Sequence, residues 1–160
     1  MFASHVAVEP VEVVGRLVLA AILGGLLGAE RELDGQDAGL RTHLLLALGA
    51  ALFGAVSVGA FDGFVDDSGA TNVRVDVTRV ASYVAAGIGF IGGGTILKHR
   101  GTITGITTAT SLWTTAAVGL AAGLGFWVGA LATTVLALVA LRALQPLSNW
   151  LQRRSASVES

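Results

Sequence analysis

The sequence predicts an all-α integral membrane protein: a compact bundle of about five transmembrane helices, N-terminus outside and C-terminus cytoplasmic. Three observations carry this. Of 160 residues, 53% are hydrophobic and 13% charged, against roughly 25% charged in soluble domains, and mean hydropathy is +0.73. Long stretches lack Asp, Glu, Lys and Arg altogether. The basic residues gather between alternate stretches. This composition excludes a disordered chain, which needs low hydrophobicity and high charge. It also excludes a soluble globule, for want of polar cover. A formal net charge of −1 leaves no basic footprint for nucleic acid. The absence of cysteine removes disulfides, thiol nucleophiles and thiolate metal sites.

A bilayer core of roughly 30 Å takes about 20 apolar helical residues. The charge-free runs are Leu17–Ala29 with 13 residues, Thr42–Phe61 with 20, Val80–Leu97 with 18 and Gly101–Leu141 with 41. The first reaches working length by adding Val13, Val14 and Gly15, with Arg16 snorkelling outward along its stem. A cleaved signal peptide is the rival for this end. It needs a basic leader, whereas Met1–Glu12 holds Glu9 and Glu12 and no Lys or Arg. As one helix the last run would measure on the order of 60 Å, twice the bilayer core. It must therefore turn back, most readily at Gly123-Leu124-Gly125, where glycine permits tight-turn backbone angles. The predicted spans are about 11–29, 42–61, 79–97, 104–122 and 125–143, in one transmembrane domain over 1–145. A short cytoplasmic tail, 146–160, follows; its Leu147, Trp150 and Leu151 suit the inner interface, with Arg153 and Arg154 toward headgroups.

Five spans put Arg31, Arg41, Lys98, Arg100, Arg142, Arg153 and Arg154 on one side, and Arg16, Arg74 and Arg79 on the other with Asp62, Asp66, Asp67 and Asp76. Seven basic residues against three set the orientation by the excess of positive charge in cytoplasmic loops. Tyr83 and Trp127 then fall near the outer interface, where aromatic belts sit, and Trp113 near mid-depth, as packing.

Small residues recur every four positions: Ala20, Gly24 and Gly28 on the first span; Ala81, Ala85, Gly89 and Gly93 on the third; Thr107, Ser111, Thr115, Gly119 and Gly123 on the fourth; Gly125, Gly129 and Thr133 on the fifth. Such stripes let a neighbouring helix approach closely, within a bundle or an oligomer. Gly87-Ile88-Gly89-Phe90-Ile91-Gly92 fits the dinucleotide pattern, but that motif works only between a strand and a helix of a βαβ unit; no cofactor is expected. Gly92, Gly93 and Gly94 weaken the third helix ahead of Lys98-His99-Arg100-Gly101. The segment is either a helix end with a cytoplasmic turn or a hinged, re-entrant element. Eight Ser or Thr residues between Thr102 and Thr115 either bond to carbonyls one turn back or line a polar cavity.

Charges near a membrane are the strongest functional hints by type. Glu30-Arg31-Glu32 closes the first span and Arg41-Thr42-His43 opens the second, so opposite charges can pair across the short loop. Asp76 and Arg79 stand at pairing distance at the start of the third span. These residues either anchor topology or form a site in which the carboxylates of Glu30 and Asp76 take a cation or meet a partner. His5, His43 and His99 are scattered without metal-ligand spacing, and no G-x-S-x-G nucleophile elbow occurs; an enzyme is not expected.

Gly24–Arg31 (GGLLGAER) and Ala38–Gly49 (AGLRTHLLLALG), then Asp76–Val80 (DVTRV), Gly87–Leu97 (GIGFIGGGTIL) and Gly105–Gly119 (GITTATSLWTTAAVG), together resemble the MgtC/SapB family of bacterial inner-membrane proteins, over roughly Arg16 to Leu141. The resemblance implies a five-span hydrophobic domain, multi-pass in the inner membrane. It also implies association with growth under magnesium limitation and survival inside macrophages, through regulation of a membrane partner such as the ATP synthase. Direct magnesium transport by an oligomer is the alternative, a ligand-free structural subunit a further one. Many members add a soluble C-terminal domain. The chain ends about 19 residues beyond Leu141, so that domain is expected to be missing. The motif positions carried over are Glu30, Arg31, Arg41, Thr42, Asp76, Arg79, Gly89, Gly92, Gly94, Thr107, Thr108 and Trp113. None is implied to be catalytic. The expected partners are the lipid bilayer, other membrane proteins and further copies of this chain.

Overall fold

The structure is a computed structural model that describes residues 9–59, 77–99, 102–144 and 154. Five helices run in chain order among these residues: α1 (Pro10–Leu33), α2 (Leu40–Gly59), α3 (Val77–Thr95), α4 (Ile106–Gly123) and α5 (Trp127–Ala143). Two of them, Pro10–Leu33 and Leu40–Val58, are long and apolar enough to cross a bilayer. At 17 residues α5 is about 26 Å long. The tail 146–160 lies outside the described residues apart from Arg154.

The helix ends follow from local chemistry. Pro10 occupies the first turn of α1, where its missing N–H costs nothing. At the other end Gly35 takes φ +67°; its N–H donates to Glu32 O and that of Gln36 to Arg31 O. The α4–α5 reversal repeats the device. Gly125 takes φ +83°, with Gly125 N donating to Ala122 O and Phe126 N to Ala121 O. Both are Schellman closures, which need a left-handed residue one past the cap. The reversal at Gly123-Leu124-Gly125 is the one the 41-residue run requires.

Tight packing unites α1, α2 and α4. Ala47 of α2 is wholly buried and sits in a slot between two glycines. A Cβ on Gly24 of α1 would lie 2.5 Å from Ala47 Cβ, and one on Gly119 of α4 would collide with the Ala47 carbonyl. One turn on, Gly123 meets Ala51 in the same way. Leu23, Leu27, Val118, Ala122 and Ala130 close the core around this seam. Helix α5 packs on α4 and α1, and α3 on α4 with a lighter touch on α2.

Three expectations need correction, and one pair of alternatives is decided. Arg16 does not snorkel outward. It is buried, with Nη1 donating to Gly123 O at 2.9 Å and Nη2 paired with Glu12 at 2.6 Å. An orphan carbonyl at the α4 C-terminus offers the guanidinium more than lipid can. Of the two readings of Gly92–Gly94, the helix end followed by a turn is the one seen: α3 runs through the three glycines to Thr95, and the chain then forms a small antiparallel hairpin, β1 (Leu97–His99) with β2 (Thr102–Thr104), pairing Lys98 with Ile103. The fold is therefore helical with one hairpin. The α3 stripe is not an internal contact: Cβ atoms on Gly89, Gly93 and Gly94 would meet nothing within 4 Å, and only Gly92 backs onto Ala109. Thr107 and Thr133, placed on the α4 and α5 stripes, are exposed, and Thr134 is the buried hydroxyl on α5.

If backbone contact at Ala47 holds the bundle, Gly119→Val should lower stability by about 1–3 kcal/mol, the range for overpacking. Gly49→Ala, where the added Cβ meets open space, should be neutral or stabilising by roughly 0.5–1 kcal/mol. Unfolding of the purified chain in detergent micelles separates the two.

Candidate functional site: a buried polar cluster where α1, α2 and α4 meet

The polar side chains buried at the α1 C-terminus and the α2 N-terminus form one neighbourhood. Glu30 and Arg31 are 5% and 3% exposed, because the tight α1–α2 hairpin closes over them. Arg31 Nε donates to Glu30 Oε2 at 2.6 Å, and Arg31 Nη2 donates to Glu30 Oε1 and to Asp34 Oδ2, each at 3.0 Å. Both oxygens of the Glu30 carboxylate are thus engaged by one guanidinium, the bidentate geometry that arginine favours. Glu32 Oε2 accepts from Leu40 N at 2.8 Å. A residue of α1 thereby satisfies an orphan N–H of α2, and Gly39 leaves room for it, since a Cβ there would lie 2.7 Å from Glu32 Oε2.

His43 is fully buried. Its Nδ1 lies 3.0 Å from Gly39 O on its own helix, and its Nε2 lies 3.2 Å from Ser111 Oγ on α4. Space for the ring comes from Gly28 of α1, where a Cβ would stand 2.8 Å from His43 Cβ. On α4 the hydroxyls of Ser111 and Thr115 also bond back to Thr108 O and Ser111 O, both at 2.9 Å. A cavity of about 160 Å³ abuts this row between α1, α4 and α5, with Thr110, Ser111 and Thr114 on one wall and Leu27, Ala137 and Ala140 opposite.

Of the candidate residues, Glu30, Arg31, Gly24, Gly28 and Thr108 come to this region. Arg41 and Thr42 are exposed on α2, Thr107 is exposed on α4, and Arg79 is exposed in the first turn of α3. The expected pairing of Arg41 with the acids of α1 does not occur among the described residues, since Glu30 and Asp34 turn to Arg31 on their own helix turn. Asp76 lies outside the described residues. Trp113, 52% exposed, lines a separate groove between α3 and α4 with Val84, Ile88 and Ala116. Among the described residues no three of His, Asp and Glu assemble into a metal-binding group. His43 and its partner Ser111 are the residues that motif spacing missed. The usable signal was a second-span stripe, His43, Ala47, Ala51 and Ala55 at four-residue intervals, in which the histidine stands where a small buried residue belongs.

The family model described as the MgtC family matches residues 17–150. The chain belongs to the MgtC family. It is 42% identical over 137 residues to a protein of Escherichia coli strain K12 named "Putative magnesium transporter YhiD", covering 86% of this chain and 62% of that relative. It is 38% identical over 149 residues to protein SrpB of Synechococcus elongatus, covering 86% of this chain and 79% of SrpB. To protein MgtC of Salmonella typhimurium it is 38% identical over 124 residues, covering 78% of this chain and 48% of MgtC. The chain thus spans less than two thirds of YhiD and about half of that MgtC. No solved structure matches. Family membership and two bilayer-length apolar helices make this MgtC-family chain a helical membrane protein.

Arg31→Met would leave the Glu30 carboxylate buried without its partner. The expected loss is about 3 kcal/mol, the low end for breaking a buried pair, since Asp34 opens the cluster toward solvent. Adding Glu30→Gln should restore most of that loss. Thermal unfolding of the two single variants and the double variant measures the coupling.

Proposed function

We propose that this chain is a non-enzymatic, multi-pass protein of the bacterial inner membrane that regulates membrane-protein partners, in a role linked to magnesium limitation. Five spans with the N-terminus outside and the C-terminus cytoplasmic remain the reading that its basic residues support. The observation that carries the proposal is the outward face of α3. Ala85, Gly89 and Gly93 lie exposed at helical spacing, and Cβ atoms on the two glycines would meet nothing. The stripes of α1 and α4 are used up inside the bundle, whereas this one is open to another helix. Close approach of small residues is what drives helix association where lipid removes the hydrophobic difference. Occupants would be a membrane partner, with the ATP synthase the candidate by family resemblance, or a second copy of the chain.

Glu30 supports the same reading. Its carboxylate is neutralised by Arg31, and a divalent cation entering there would meet a guanidinium at contact distance. One observation favours the alternative, an oligomeric cation transporter: the cavity beside Ser111, which has three hydroxyl residues on one wall, together with the name carried by YhiD.

Affinity purification in mild detergent from cells grown at low magnesium tests the proposal. The wild-type chain should enrich a membrane protein, or a second tagged copy, that Gly89→Leu with Gly93→Leu loses by about tenfold, a difference of about 1.4 kcal/mol. No enrichment over control, together with unchanged ATP-synthase activity on deletion, would overturn it. Cation flux in liposomes that follows the cavity residues would instead establish the transporter.

A further inference from the structure

We propose that His43 is a buried proton-binding site, loaded through Ser111 from the cavity between α1, α4 and α5. The 3.0 Å contact of Nδ1 with the Gly39 carbonyl requires a proton on Nδ1, because two lone pairs at that distance repel. The neutral ring therefore has a free lone pair on Nε2, and it faces Ser111 Oγ at 3.2 Å. Ser111 has one proton and two acceptors within reach, His43 Nε2 and the Thr108 carbonyl at 2.9 Å.

This arrangement has two fully bonded states. In the neutral state Ser111 donates to Nε2. In the protonated state both ring nitrogens donate, Nδ1–H to Gly39 O and Nε2–H to Ser111 Oγ, and the Ser111 proton turns to Thr108 O. Loading balances by relay: Ser111 passes its proton to Nε2 and takes one from a hydronium in the cavity, leaving the site one positive charge richer. Thr108 O already receives a helix N–H bond and keeps its second lone pair for the hydroxyl. Neither state strands a polar atom, so the switch is not blocked by an unsatisfied group.

Ser111 stands at the junction, on the wall of the cavity and within bonding distance of the ring. About 160 Å³ holds a few waters at roughly 30 Å³ each, and the Thr110 and Thr114 hydroxyls, whose protons bond back to helix carbonyls, keep lone pairs to accept from them. The charged groups that act on the ring are Arg31 and Glu30 on α1. Helix α4 carries no ionisable side chain, and the two on α3, Arg79 and the exposed Tyr83, sit in that helix's first two turns, at the end remote from the α1–α2 turn. The added charge on His43 would thus fall beside an ion pair that is itself balanced within α1. The proposal stands independently of any partner.

Nitrogen-15 histidine NMR of the full chain in lipid nanodiscs tests it, with His43→Gln assigning the ring among the three histidines. As pH falls from about 9 to about 4, a range that brackets imidazole titration, the His43 ring should pass from the Nδ1–H neutral form to the doubly protonated form. Ser111→Ala should shift the neutral Nε2 resonance while leaving Nδ1 hydrogen-bonded. Ala140→Leu, which fills the cavity without touching the ring, should slow proton exchange at His43 about tenfold or more, a barrier change of about 1.4 kcal/mol. A ring that holds one state across that range, or a neutral Nε2–H tautomer, would overturn the proton site. An exchange rate unchanged by Ala140→Leu would overturn the cavity route.

Discussion

Ala47 is held between Gly24 and Gly119, and this contact fixes the distance between three helices at once. In lipid the association of helices gains little from hydrophobic burial, so it depends on how closely backbones can approach. A methyl group between two hydrogens is the smallest knob that still gives a helix good propensity. The seam continues at Ala51 against Gly123, so α2 lies along a groove whose floor is the backbone of its neighbours. Once α1, α2 and α4 are set at that spacing, the place one turn before Ala47 is also determined. His43 occupies it. Gly28 gives the ring room on one side and Ser111 gives it a partner on the other. The fold and the polar site therefore rest on one constraint rather than two.

Helix α1 carries a buried arginine toward each end, and each is answered differently. Arg16 is answered by Glu12 and by a carbonyl at the α4 C-terminus, with its Nε left without a hydrogen-bond partner. Arg31 is answered bidentately by Glu30 and again by Asp34. Burying an ion costs several kcal/mol unless its partners are well placed. Both guanidinium groups are placed by their own helix: Glu12 stands four residues from Arg16 and Asp34 three from Arg31, the spacings at which helix side chains are neighbours, while Glu30 meets Arg31 from the adjacent position. What remains for the tertiary structure at Arg16 is one bond to Gly123. That bond ties the start of α1 to the α4–α5 reversal, and the two ends of the packed seam are thereby both fastened.

Much of the helical architecture was legible because charged residues bound the apolar runs and because a 41-residue run cannot stay straight within a bilayer. The turn at Gly125 was legible for the same geometric reason. Direction was not. Whether Arg16 points to water or to a carbonyl depends on α4, more than a hundred residues on in the chain, and local sequence holds no record of it. The hairpin after Thr95 was missed because strands of three residues show no period. His43 was missed because a lone histidine without metal spacing is uninformative until the surrounding stripe is read as a buried row. Thr108, Ser111 and Thr115 were legible as hydroxyls that bond back along the helix, yet which of them also faces another helix depends on the rotation of α4.

The small residues of α3 pose the remaining energetic question. A glycine inside a helix costs roughly 0.8–1 kcal/mol relative to alanine. In α1 and α4 that cost is offset by backbone contact, and Gly28 in addition makes room for an imidazole. In α3, Gly89 and Gly93 bear the cost with open space above them, and the helix they weaken packs on α4 and only lightly on α2. Lipid chains give nothing back for a missing methyl group, because they pack equally well against alanine. A close-packed helix does give something back, since the two backbones then approach by the width of the side chain that is absent. The uneven use of glycine across three helices of one bundle is thus accounted for if the α3 face meets another protein helix.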